Sequence, residues 1–473
     1  MPAPSSSQPP AIGDSVHHPI FGKGQLVAMY RNGTQWLVRF ENGLRFRCPR
    51  RDFLGQEEKV RIQAAPLPVP DTPPMPPARF QARQLIESLR VGVAPAQHVQ
   101  ELTIGLQAER ASIGDGLHRA HKEGGAVRAV LGEYGFGKTH IIELTAQEAL
   151  DRRFLVAVTS LDLLELPPHR SFDIYASLMR NLRYPDTDER GLGPLFENAA
   201  STSGILERLR ELALVENDPL VVGLQAIRST PSARQRKAWL QWLMGGRRVK
   251  RMKQATPRGI RFPSIYRVGH NARQMAYLLS GISVLARLSG YSGLAVMLDE
   301  AESYSLLRPY QRPKASLFFS AVIYAALQDR QSRIHEEDFP QHRWREYPLA
   351  YRDRQSLFFL FTVTHSDKRM PLHDWLEEEY ILDLAPHHTP QEIGQFMERV
   401  MDYHAQAYDY QPQQRQRQIR RGAAEIMALG MRNGRLSIRH LVRMSVELYD
   451  LLYLYPDYAP AQLLDELRKQ MSV

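Results

Sequence analysis

Val127-Arg-Ala-Val-Leu131, then Gly132-Glu133-Tyr134-Gly135-Phe136-Gly137-Lys138-Thr139, then His140-Ile-Ile-Glu-Leu-Thr-Ala-Gln-Glu-Ala-Leu150 is the stretch that decides the fold. The first run reads as a short buried strand and the last as a helix. The loop between them matches G-x-x-x-x-G-K-[ST] in the strand–loop–helix setting that a phosphate-binding loop requires. Gly132, Gly135 and Gly137 let backbone N–H groups face phosphate oxygens, and the helix N-terminus adds its partial positive charge. Lys138 is expected to reach the β- and γ-phosphates, and the Thr139 hydroxyl to ligate a metal. His140, directly after the motif, joins this cofactor-binding set. ATP and Mg²⁺ are the expected cofactors.

Such a loop needs an acidic partner on a neighbouring strand. Leu294-Ala-Val-Met-Leu-Asp299-Glu300 supplies an apolar strand ending in two carboxylates. Asp299 is expected to hold the magnesium through water, and Glu300 to orient and polarise the attacking water. Glu302 completes the string Asp-Glu-Ala-Glu, which invites a helicase reading, but a solvated first-turn acid accounts for it better. The strand Leu357-Phe-Phe-Leu-Phe-Thr-Val-Thr364 ends in polar residues, and Thr364 is the choice for a γ-phosphate contact; ordinary strand-end polarity is the alternative. Arg435 and Arg439, four apart and hence on one helical face, are candidates for an arginine reaching back to the phosphates. Upstream, Ile104 and Gly105 occupy the position of an adenine-contacting segment, the glycine allowing close approach of the base.

Working outward, five apolar runs read as buried parallel strands: Val127–Leu131, Phe154–Thr159, Leu294–Leu298, Leu357–Val363 and Tyr380–Leu384. Helical stretches separate them, as a sheet covered on both faces demands. Residues 12–54 differ. Their β-rich runs are punctuated by Asn32-Gly33 and Asn42-Gly43, strong hairpin signals. This segment resembles the SH3-like, tudor-type modules appended to bacterial helicases and transcription-coupling factors, which bind protein or nucleic acid. Pro66, Pro68, Pro70, Pro73, Pro74, Pro76 and Pro77 follow as a semi-rigid tether. After Thr389-Pro-Gln-Glu392, a capping-box pattern, helical periodicity persists to the end. The expected layout is a small β-barrel (1–54), a linker (55–80), an α/β P-loop core (81–386) with a helical basic insertion at about 165–285, and a C-terminal helical lid (387–473).

The strings TIGLQAE (103–109), LGEYGFGKTH (131–140), AWLQWLMGGRRVK (238–250), VMLDEAE (296–302) and LFFLFTVTHS (357–366) together resemble the ATP-binding proteins of BREX-type bacteriophage-exclusion systems. The resemblance runs from roughly Arg83 to Tyr453 and leaves the N-terminal module outside it. It implies an AAA+-like ATPase in antiphage defence. It also implies partners among other defence-system proteins, such as a helicase or methyltransferase, and a homo-oligomer.

The charge balance bears on the partner. Lys plus Arg is 61 against 51 Asp plus Glu, a formal net charge of +10, which favours a polyanion. Between Arg234 and Arg261 there are ten Lys/Arg and no acid. Arg247, Arg248, Lys250, Arg251 and Lys253 are the candidate DNA contacts, with an intersubunit or phosphate-sensing role as the alternative. Trp239 and Trp242, interleaved with this run, read as core anchors. One cysteine, Cys48, excludes a disulfide framework and a cysteine-rich metal site. No apolar run approaches the roughly 20 residues of a membrane span, and the N-terminal Met-Pro-Ala-Pro lacks the features of a secretion signal; a cytoplasmic location is expected. Two rival readings of the whole chain remain: a nucleotide-gated scaffold with little turnover, and a DNA helicase-associated motor.

Overall fold

The computed structural model describes residues 11–18, 22–30, 33–41, 45–49, 53, 75–91, 98–246, 265, 272–341, 347–351, 355–365, 369–384, 389–410, 438–455 and 462, with Pro390 and 438–440 by backbone alone. The chain divides into two units, Met1–Met75 and Pro76–Val473.

In the first unit, β1 (Ser15–His18), β2 (Gly22–Tyr30), β3 (Gln35–Phe40) and β4 (Arg45–Pro49) form an antiparallel sheet in sequential order. Alternation makes it amphipathic: Trp36, Val38 and Phe40 of β3 point inward with Val16, Leu26 and Cys48, and their neighbours point out. Cys48 is thus a core residue. An irregularity between Leu26 and Ala28 shifts the register of β2 against β3, bending the ribbon as a bulge does.

The second unit is built on a five-stranded parallel sheet of β5 (Ala126–Leu131), β6 (Phe154–Ser160), β7 (Gly293–Asp299), β8 (Leu357–Val363) and β9 (Ile381–Asp383). The order is β6-β7-β8-β5-β9. One strand, β8, therefore separates the loop-bearing β5 from the acid-bearing β7, which is the additional-strand arrangement of AAA+-like P-loop ATPases. Successive residues of each strand enter different cores. Val127, Leu155, Val296 and Phe359 pack on one face with the inserted helices. Val130, Val156, Met297 and Phe358 pack on the other with helices Gln107–Arg119 and Lys138–Asp151. In β5 to β8, burial on both faces is why the strands read as near-unbroken apolar runs, whereas β9 at the sheet edge is only partly buried.

Between β6 and β7 lie helices Ser171–Arg180, Gly193–Ser201, Ile205–Leu212, Pro219–Ser229, Ala233–Leu243 and Ala272–Leu288. Trp239 and Trp242 are buried there edge to face, 5.7 Å apart, so they anchor the insertion. Arg234 and Lys237 lie exposed on the same helix. Arg247, Arg248, Lys250, Arg251 and Lys253 lie outside the described residues.

One feature differs from the expected linker over 55–80. A helix begins at Pro77, inside the proline-rich stretch, because the first helical position needs no N–H from its residue. That helix, Pro77–Arg90, packs its apolar face (Ala82, Leu85, Ile86, Leu89) onto the C-terminal helices Pro390–Tyr408 and Ile438–Leu454. Arg90 binds Asp450 through both terminal nitrogens, and Asp450 also meets the fully buried His404 at 3.1 Å. The Thr389/Glu392 capping box forms as its sequence pattern implies.

Candidate nucleotide-binding site

Parallel register brings the strand ends to one edge. Ser160 lies opposite Asp299, Leu298 opposite Phe361, and Leu131 opposite both Val363 and Asp383. The loop after β5 is pinned where it leaves the sheet: the Gly132 N–H donates to the Val363 carbonyl at 3.1 Å, and the Leu384 N–H to the Leu131 carbonyl at 2.6 Å. Gly135 and Gly137 have φ of 84° and 90°, a region costly to side-chain-bearing residues, so the loop conformation depends on glycine there. Helix Lys138–Asp151 starts directly from Gly137 and aims its N-terminus at the loop.

Lys138 is 7% exposed and sits at the centre of a polar cluster. Its ammonium donates to the Gly132 carbonyl at 3.1 Å and to the Thr364 hydroxyl at 2.9 Å. Thr364 in turn donates to Glu302 Oε1 at 2.9 Å, and the same carboxylate oxygen lies 3.5 Å from Lys138. Glu302 is thus a member of the site and not the solvated acid expected of it. The turn Ala301–Tyr304 carries it back over the sheet edge.

The acids on β7 are held by a different set of donors. Asp299, 5% exposed, accepts from the Thr362 hydroxyl at 2.6 Å and from the Glu300 N–H at 3.0 Å, both at Oδ1. Glu300 has φ of 56°, rare for a residue other than glycine, and its N–H also lies 3.3 Å from the Thr362 hydroxyl oxygen. Partial loss of water, with the charges of Asp299 and Glu302 close by, raises the Glu300 pKa above the ordinary carboxylate value, although a Ser160 hydrogen bond and Lys138 oppose the rise. A carboxyl so placed is a better proton acceptor than a solvated one.

On the expected adenine side, Gly105 adopts φ of 64° and Ile104 is buried in the apolar cluster of the C-terminal helices. Thr103 donates to the Val99 carbonyl at 2.6 Å, which leaves its oxygen to accept from His140 Nε2 at 2.8 Å. Burial pushes the His140 imidazole down to about 4, consistent with a neutral ring protonated on Nε2. His140 therefore ties the loop helix to the segment that carries Ile104 and Gly105. The C-terminal helices reach that segment too, through Gln107 to Glu392 at 3.2 Å and through Arg399 to the Glu101 carbonyl.

Residues 78–202 match the family of BREX system ATP-binding proteins, BrxC/D. No curated protein matches the chain. The BrxC/D segment contains Ile104, Gly105 and the whole phosphate loop, so the residues expected to meet ATP fall inside it. Asp299, Glu300, Glu302, Thr362 and Thr364 lie beyond the BrxC/D segment in sequence, yet the sheet order brings their strand ends to the same edge as the phosphate loop, where Thr364 and Glu302 meet Lys138.

Among the sequence candidates, Lys138 and Thr364 are in direct contact, Asp299 and Glu300 end the next strand but one from the loop, and Thr139 is exposed on the first helical turn. Arg435 lies outside the described residues; Arg439 falls in helix Ile438–Leu454, where only its backbone is described. Sequence reading missed Glu302, Thr362 and Ser160, and it missed the His365–Asp383 contact of 2.7 Å that bridges the ends of β8 and β9. Thr362 carried a signal: it is the one polar residue within β8, and it is fully buried. Among the described residues, no group of three or more His, Cys, Asp or Glu could hold a metal, and no helix is long and apolar enough to cross a membrane.

Proposed function

We propose that the chain hydrolyses ATP with Mg²⁺ and applies that cycle to DNA within a BREX defence complex. The observation that carries the reading is the convergence of Lys138 and Thr364 with the Asp299-Glu300 strand end on one sheet edge. Lys138 would neutralise the β- and γ-phosphates, while Gly132, Gly135 and Gly137 turn the backbone toward them. Thr139 and Asp299 fit a magnesium that keeps most of its waters, since that ion takes only one or two protein ligands beside substrate phosphates. Magnesium would offset phosphate charge there. Glu300 would take the proton of the attacking water, and Thr364 would contact the γ-phosphate. Ile104, Gly105 and His140 would border the adenine. Arg435 or Arg439 would supply a cation from the C-terminal helices.

Two features support the DNA part of the reading: the net charge of +10 and the acid-free basic block that includes Arg247, Arg248, Lys250, Arg251 and Lys253. The N-terminal sheet would recruit DNA or a further defence protein, and assembly into a homo-oligomer in the cytoplasm would complete the picture. The layout this implies is a recruiting module (1–54), a tether that ends where helix Pro77–Arg90 begins, a motor core to about residue 386 and a lid (387–473). The test is phosphate release by the full chain with ATP and Mg²⁺, against the same reaction in EDTA. Release that requires the metal is expected; its absence at saturating ATP would favour a nucleotide-gated scaffold.

A further inference from the structure

Resting on the reading of Lys138 and Thr364 as contacts of the terminal phosphate, we propose that Glu302 is a built-in competitor of the γ-phosphate that sets the preference between ATP and ADP. One oxygen of Glu302 engages both groups: Oε1 accepts from Thr364 at 2.9 Å and lies 3.5 Å from the Lys138 ammonium. A carboxylate oxygen and a phosphate oxygen ask the same thing of a lysine and a hydroxyl, namely charge-assisted donation. Both cannot occupy the same donors. The β-phosphate of ADP can meet backbone N–H groups of the loop without the Thr364 hydroxyl, whereas the γ-phosphate of ATP needs the donors that Glu302 holds.

Glu302 is also poised to give way. Its other oxygen, Oε2, is buried with no hydrogen-bond partner among the described residues, which makes the engaged position costly. The turn beneath it is fixed independently. The Ser303 N–H donates to the Glu300 carbonyl at 3.1 Å, and the Ser303 hydroxyl to the Leu161 carbonyl at 3.2 Å. The side chain can therefore swing out while the turn that bears Glu300 stays in place. The competitor is confined to one side chain.

Glu302→Gln removes the charge and keeps the shape; Glu302→Ala removes both charge and reach. Each is titrated by calorimetry with ADP and with a slowly hydrolysed ATP analogue. Since both variants weaken the hold of Glu302 on donors that the γ-phosphate needs, the ATP analogue should bind about tenfold tighter to each. ADP affinity should rise by clearly less, because its β-phosphate shares only Lys138 with Glu302 and does not contest Thr364. An unchanged ATP-to-ADP ratio in both variants would overturn the proposal, and so would an equal gain for the two nucleotides, which would reduce Glu302 to a general repulsive charge. Failure of the unmodified chain to bind either nucleotide would instead remove the phosphate-site reading itself.

Discussion

Thr362→Val is the change that isolates what holds Asp299. The swap keeps the β-branched shape near the C-terminal end of a fully buried strand and deletes only the hydroxyl that donates to Asp299 Oδ1 at 2.6 Å. Among the described residues, the Asp299 carboxylate then keeps one donor, the Glu300 N–H at 3.0 Å, whose direction depends on the left-handed backbone of Glu300. A hydrogen bond to a charged group contributes roughly 1.5–3 kcal/mol, and the valine methyl recovers little of it beside a carboxylate, so about 2 kcal/mol is the expected loss. If that loss falls on Asp299 orientation, the Mg²⁺ concentration for half-maximal ATP hydrolysis should rise by about tenfold or more, each tenfold corresponding to about 1.4 kcal/mol. Thr362→Ser, which keeps the hydroxyl, should stay close to the unmodified protein. The assay is phosphate release across a Mg²⁺ titration, with chemical denaturation as the companion readout of stability. A valine variant with unaltered Mg²⁺ dependence, beside a serine variant that behaves the same way, would refute the idea that Thr362 positions Asp299.

Two further outcomes are expected. Deleting residues 1–75 should leave ATP hydrolysis unchanged, because the phosphate-site residues all belong to the unit from Pro76 onward, and should weaken recruitment to DNA or a partner in a pull-down. Changing Arg247, Arg248, Lys250 and Arg251 together to Gln should flatten the log K against log salt slope for duplex DNA by up to roughly 3–4, equally for unrelated sequences, and an unchanged slope would assign those residues elsewhere.

How much of this was legible in the sequence depends on the range of the interaction. The five strands were readable to within one or two residues, because burial on both faces of β5 to β8 forces near-continuous apolar runs and the phosphate loop fixes one of them as β5. The capping box at Thr389 was legible for the same reason: its bonds are three residues apart. Glu302 was not, since an acid just past a strand looks solvated until the left-handed Glu300 bends the turn back over Lys138. The helix Pro77–Arg90 hid its partners as well. Its amphipathic face is visible in sequence, but nothing local says that it packs on helices Pro390–Tyr408 and Ile438–Leu454, far along the chain. Ser160 emerged only through the β6–β7 register that sets it opposite Asp299.

Single-residue loss of the Glu300 carboxylate decides whether this sheet edge hydrolyses ATP with Glu300 as proton acceptor. Nucleotide affinity and turnover are measured side by side for the unmodified chain, Glu300→Gln and Lys138→Ala. Glu300→Gln should keep ATP affinity within about twofold while turnover falls by about 100-fold or more, the usual weight of a positioned general base, and Lys138→Ala should no longer bind ATP. A Glu300→Gln protein that turns over ATP like the unmodified chain would contradict that role of Glu300.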